Sequence, residues 1–174
     1  MLRILTTLQS VTPYSASRYH ETAKLAKEEA NAFDIRTWRE HAHYDENGSC
    51  YIPAQAFKMS LDQAASRLGE RVKGKGASTL TKHFLSGVQC MSNLPLNVRK
   101  EDLVCDAVLC NAKGIRNGPG ARVVRRFPVI RSWSGTLEWF VLDDQVTEEI
   151  FVRHLAEAAK LVGVGRWRVG NGGQ

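Results

Sequence analysis

Tyr51-Ile52-Pro53-Ala54-Gln55-Ala56-Phe57-Lys58 decides how this chain is read. An apolar approach runs into a proline, and a lysine follows in the next turns. The proline is expected at the first position of a helix, where its missing N–H costs no hydrogen bond. Beyond it Phe57, Leu61, Ala64, Ala65 and Leu68 recur at helical spacing as one apolar face, and Gly69 is the expected stop. Lys58 lies beside that stripe, near the helix end whose backbone N–H groups attract anions. A helix buried on one side with a cation near its positive end suits a phosphate.

Working outward toward the N-terminus, Asp45-Glu46-Asn47-Gly48 is a turn signal that leads into Cys50-Tyr51-Ile52. Ser15 to Glu40 is charged and poor in apolar residues, so a partly exposed, helix-tolerant excursion is expected there. Leu2, Ile4 and Leu8 stand at even spacing and fit an opening strand that ends near Pro13.

On the C-terminal side comes a basic glycine loop, Arg71-Val72-Lys73-Gly74-Lys75-Gly76. A short helix follows, with Ser78 as the expected N-cap and Gly87 as its end. Leu103 to Cys110 reads as a largely buried strand, and Ala121 to Ile130 and Thr136 to Leu142 as two more. The first two are joined by a basic glycine-rich loop, Asn111 to Gly120. The last helix is capped by Thr147, carries Glu148 and Glu149 in its positive first turn, and ends at Gly163. Ile150, Phe151, Leu155, Ala158, Ala159 and Val162 form its apolar face. Val164 to Val169 is expected as a closing strand.

Stripped of its excursions, this order is βαββαβ: an α+β, ferredoxin-like or RRM-like antiparallel sheet with helices on one face. Residues 1–174 form one domain, with 15–50 as a helical insertion and 111–131 as a projecting basic hairpin.

The chain has 174 residues, 43% of them hydrophobic, enough for a real core. Its net charge of +6 points to nucleic acid or an acidic surface as partner, or to a solvated basic surface. No apolar run is long enough to span a membrane, and MLRILTTLQS lacks the apolar segment of a signal peptide. Cys50, Cys90, Cys105 and Cys110 form no CxxC pair, which fits free, mostly buried thiols in a reducing cytoplasm.

The candidate binding residues are basic. Lys73 and Lys75 flank Gly74; Lys113, Arg116, Arg122, Arg125, Arg126 and Arg131 lie on or beside the hairpin; Arg166 and Arg168 alternate around Trp167. Glycines admit close backbone approach to a phosphate, and arginine forks match its oxygens. Strand alternation puts Arg166 and Arg168 on one face and Trp167 in the core. Tyr14, Tyr19, Trp38 and Tyr44, interleaved with Arg18, Arg36 and Arg39, either stack bases or anchor the insertion. His41 and His43, with Asp45 and Glu46, lack the spacing of a zinc site and fit a solvated loop. His20, beside Arg18 and Glu21, reads as a surface residue or an RNA contact. His83 and His154 suggest nothing specific. GxSxG, GxxxxGK[ST], HExxH and DxDxDG are all missing, so no cofactor or metal is expected. Cys105 and Cys110 read as core thiols.

Two segments together, Ile52-Pro53-Ala54-x-x-Phe57-Lys58 and Gly163-Val164-Gly165-Arg166-Trp167-Arg168-Val169-Gly170-Asn171-Gly172-Gly173, carry a resemblance. The chain resembles the repeat-associated (RAMP) superfamily and looks most like the RNA-binding backbone subunits of CRISPR effector complexes. The resemblance implies a modified RNA-recognition fold that grips guide RNA by its phosphates. It puts the helix-entry lysine at Lys58, the glycine-rich loop at Gly163, Gly165, Gly170, Gly172 and Gly173, and an inserting hairpin at Lys113 to Arg126. A bacterial antiviral-defence or phage setting follows from it.

The expectation is therefore a non-catalytic, single-stranded RNA-binding protein acting in repeated copies or within a CRISPR-type ribonucleoprotein. Three rivals stand beside it: a metal-independent endoribonuclease with His20 as base, a phage-encoded mimic that binds a host protein, and a phage structural protein.

Overall fold

Pro53 stands one residue ahead of the helix it was expected to open: its φ of −66° and ψ of 141° are extended, and the helix begins at Ala54. The computed structural model describes residues 1–112 and 119–168. Within them lie β1 (Leu2–Gln9), β2 (Tyr14–Ser15), α1 (Ala30–Thr37), β3 (Ser49–Ile52) and α2 (Ala54–Leu68). Then come α3 (Thr81–Gly87), β4 (Val88–Cys90), β5 (Leu94–Arg99), β6 (Val104–Asn111), β7 (Arg122–Ile130), β8 (Ser134–Val141) and α4 (Glu148–Leu161). A short 3-10 turn, Trp38–His41, extends α1.

The fold is α+β with antiparallel strand pairs. Among the described residues the strands form three small sheets, ordered β1-β8-β4, β2-β7-β6 and β3-β5, where one continuous βαββαβ sheet was expected. β1 and β4 are each antiparallel to β8, so they run parallel to one another on its two sides. The chain passes between them by way of α2. β8 does not join β6 and β7, although the three follow each other in sequence. It leaves their hairpin after Ile130 and pairs along its whole length with β1, from Leu2↔Val141 to Gln9↔Ser134. β4 and β5 were not expected: VQC is too short to show an alternation, and Pro95 breaks the run in which Leu94, Leu96 and Val98 alternate.

α2 and α4 pack together over the β1-β8-β4 sheet. Phe57, Leu61, Ala64 and Ala65 are buried as the helical spacing requires, whereas Leu68 is 39% exposed at the last turn. Gly69 follows with φ of 54°, a left-handed conformation that glycine adopts without strain. Leu137, Trp139 and Val141 alternate into the core, and Trp139 meets Phe151 of α4 edge-on at 5.3 Å. His154 of α4, which suggested nothing specific, is fully buried and stacked on Phe84 at 4.4 Å.

Other local expectations fail for identifiable reasons. β6 is not buried: Val104 is 53% and Leu109 59% exposed, because it is an edge strand of a thin sheet. Cys105 is exposed with it, Cys90 and Cys110 are half-buried, and Cys50 alone among the four is buried. Ser78 does not cap α3. It sits inside a tight turn, its N–H bonded to Lys75 O and its carbonyl to Val72 N, and Leu80 precedes the helix. Residues 164–168 form turns instead of a closing strand, so the expected alternation of Arg166 and Arg168 around a core tryptophan does not arise, and Trp167 is only half-buried.

Candidate nucleic-acid interface

The insertion and the hairpin are two parts of one structure. β7 pairs with β2 only at Val129 and Ile130, so its edge from Arg122 to Pro128 lacks a strand partner among the described residues. α1 covers that edge. Asp34, only 4% exposed, accepts the Arg126 backbone N–H at 3.1 Å and the Arg126 Nη1 donor at 3.0 Å. Asn31 Oδ1 takes a further Nη1 bond at 3.0 Å, and Arg125 Nη1 stands 3.9 Å from the same Asp34 carboxylate. One buried carboxylate thus closes a strand edge and gathers two arginines.

On the hairpin face that carries Arg125, Phe127 and Cys110, a second cluster forms. The Arg166 guanidinium lies 3.5 Å from the centre of the Phe127 ring, and its Nη2 is 3.5 Å from Cys110 Sγ. His41 stacks near Phe127 at 5.4 Å, and His20 meets His41 at 4.8 Å. Arg18 is tied in by backbone: its N–H donates to His41 O at 2.9 Å, and His41 Nδ1 donates to Arg18 O at 2.9 Å. That bond fixes the His41 tautomer when the ring is neutral and leaves Nε2 as its basic atom. Burial, then His41 and Arg18, hold the His20 pKa below its ordinary value.

Arg166 reaches Phe127 because its turn docks on β2. Its N–H donates to Ser15 O at 2.7 Å. Gly165, with φ of 83°, passes so close to Tyr14 that a Cβ there would stand 2.6 Å from the ring. Only glycine fits that approach.

The structure therefore brings Arg125 and Arg126 together on Asp34, sets Arg166 against Phe127 and ties Arg18 to His41 by backbone, and leaves other candidates apart. Arg122 is exposed at the outer end of β7. Arg131 is held at 2.9 Å by Asp106, which lies opposite Phe127. Lys73 and Lys75 are exposed in the turn before α3, with Lys75 near Asp143. Lys58 does not present its charge to the surface. It pairs with Asp62 and donates to the carbonyls of Phe84 at 3.1 Å and Leu85 at 3.3 Å, joining α2 to α3. Arg168 is half-buried against α2 and α4. Gly163, with φ of 71°, follows α4 as expected. Lys113, Arg116, Gly170, Gly172 and Gly173 lie outside the described residues.

The aromatic residues of the insertion divide. Tyr14 and Trp38 are buried anchors, Tyr19 is 81% exposed, and Tyr44 is flanked by Arg18 at 5.3 Å and Lys100 at 4.1 Å. His41 and His43 are half-buried, not in a solvated loop. Among the described residues no three His, Cys, Asp or Glu side chains stand together as a metal site, and no helix is long and apolar enough to cross a membrane. Sequence reading missed Phe127 and Asp34, and read His41 as part of a solvated loop. No local signal marks them, since each acquires its partners from a distant segment.

Arginines around an aromatic pair can hold phosphates and support a stacked base, and two adjacent imidazoles can pass a proton. No family model matches this chain, and no curated protein does. Among solved structures, a chain described as "CRISPR RNA-guided surveillance complex" is similar with a TM-score of 0.35 and 11% identity. That alignment covers 90% of this chain, which spans 59% of the length of the other. Likeness at that level fixes neither fold nor function.

Proposed function

We propose that this protein is a non-catalytic RAMP-type binder of single-stranded RNA that grips the phosphate backbone with little sequence preference. One observation carries the reading: Arg166 lies on Phe127, Arg125 shares the hairpin face of Phe127, and Arg18 is joined through its backbone to His41, which meets Phe127. Backbone contacts of this kind give affinity that depends steeply on salt. The ferredoxin-like part of the proposal draws support from β1 and β4 flanking β8, with α2 between them in the chain and α4 after β8. A fourth strand would belong beside β1. Repeated copies along one strand, or a place in a CRISPR-type ribonucleoprotein, is the assembly this function calls for.

The test is filter binding of an unstructured RNA across a salt series, after purification without nuclease. The wild type retains RNA, and its affinity falls steeply with salt. Arg125→Gln and Arg166→Gln each flatten the log–log slope by about one unit. Slopes unchanged in both variants, or a stable host-protein complex with no RNA affinity, overturn the proposal.

The His20–His41 pair favours a second reading, metal-independent RNA cleavage. One imidazole would take the 2′-hydroxyl proton as that oxygen attacks phosphorus, and the other would protonate the departing 5′-oxygen. Cleavage in chelator, lost in His20→Ala and in His41→Ala, supports it. RNA left intact after long incubation removes it.

A further inference from the structure

Behind the β1–β2 connection lies a cavity of about 280 Å³, separate from the arginine cluster. Phe57, Leu155 and Ala158 form its apolar floor, Trp133 one wall, and Ser60 and Arg168 supply polar groups. Its charged lining residues are Lys160 and Arg168, with no acid among them. Lys160 is tied to Glu157 at 2.9 Å and is largely exposed. Arg168 differs: its Nε is buried and has no hydrogen-bond partner. A buried, unpaired guanidinium N–H is costly, and an anion is the group that relieves it.

Trp133 also borders a second cleft, of about 370 Å³, lined by polar groups including Gln9, Ser10, Asn97, Ser132 and Ser134. The two spaces share Gln9, Ser10 and Trp133. An apolar, aromatic-walled space with a cation and a neighbouring hydroxyl- and amide-lined cleft suits a flat ring that carries a sugar and an anion. A volume near the lower bound of ligand pockets, about 300 Å³, fits a base better than a long acyl chain. An acyl chain would also have no use for the polar cleft.

From these observations we infer that the cavity binds one nucleoside monophosphate unit, with the base against Trp133 and the phosphate on Arg168. The choice of a nucleotide among aromatic anions rests on the RNA-binding reading. The unit comes either from a free nucleotide or from an RNA strand.

The test titrates AMP, adenosine, inorganic phosphate and decanoate against the full chain by equilibrium dialysis, with Trp fluorescence as a second readout. AMP is expected to bind saturably, with adenosine and phosphate each weaker by about tenfold or more. Arg168→Gln should weaken AMP by about tenfold and leave adenosine unchanged, while Ala159→Leu at the mouth should weaken both. Thermal melts confirm that each variant is folded. No saturable AMP binding, AMP binding insensitive to both variants, or decanoate preferred over AMP overturns the inference. Salt-dependent RNA binding without AMP binding overturns the cavity site alone. AMP binding without RNA binding overturns the RNA reading and leaves a free-nucleotide site. Displacement of AMP by a short oligo(A) RNA identifies the strand as the source, and its failure to displace identifies the free nucleotide.

Discussion

The helix-covered β1-β8-β4 sheet and the β2-β7-β6 sheet use their cations in opposite ways. In the first, the promising lysine, Lys58, spends its charge on Asp62 and on two carbonyls near the end of α3. In the second, Arg125 and Arg126 share the buried Asp34 carboxylate, Arg166 lies on the Phe127 ring, and Arg125 keeps 43% of its side chain exposed. The thick half largely buries the Lys58 side chain and satisfies its ammonium internally. The thin half has less cover, so its arginines pair at the sheet edge and stay partly exposed.

This contrast is broken most severely from the core. Trp139→Ala removes a fully buried ring, its contact with Phe151 and its N–H bond to Thr6 Oγ1 at 2.9 Å. It should cost about 3–5 kcal/mol in urea unfolding. Asp34→Ala tests the other half. It strips the partner from the Arg126 N–H and should cost about 1–3 kcal/mol. RNA affinity and its salt slope should nevertheless rise, because Arg125 and Arg126 lose their counter-charge. A fall in both stability and slope would show that the arginines depend on Asp34 for placement.

Lys58→Met sharpens the comparison from the thick half. The prediction is a loss of about 1–2 kcal/mol, read by urea unfolding, with the RNA salt slope unaltered. A flattened slope would return Lys58 to the list of contacts.

The smallest effect is on pH. The folded-state pKa of His20 lies below its ordinary value, chiefly through burial, and so does that of His43. The unfolded chain therefore takes up these protons first as pH falls below about 6.5. Stability present above that pH is lost as it drops toward the folded-state values. RNA affinity should move the other way, since a phosphate favours the imidazolium. Urea midpoints at about pH 7.5 and 5.5 in wild type and His20→Gln isolate its share, and identical shifts in the two would sink the assignment.

Local features were legible in the sequence where one segment sufficed to set them. The spacing of Phe57, Leu61, Ala64 and Ala65, the stop at Gly69 and the Thr147 cap of α4 all emerge as read. So do β7 and β8 to within a residue or two, whereas β1 starts as read but ends at Gln9, short of the expected Pro13. β4 and β5 were missed: three residues are too few to show a period, and Pro95 argues against a strand in the otherwise alternating Leu94–Arg99. Leu103 to Cys110 misled because an apolar run states what a strand would gain by burial, not whether anything lies on it.

What the sequence by itself determined is a basic chain with a real core, its two longest helices and the arginines at its disposal, since these follow from spacing and composition. Only the tertiary structure decided that β8 leaves the β6–β7 hairpin for β1, that Asp34 plugs the edge of β7, and that Arg166 lands on Phe127 while Lys58 turns inward. Each of those contacts joins residues far apart in the chain. Their partners are set by packing and by satisfaction of buried polar groups, which no local pattern encodes.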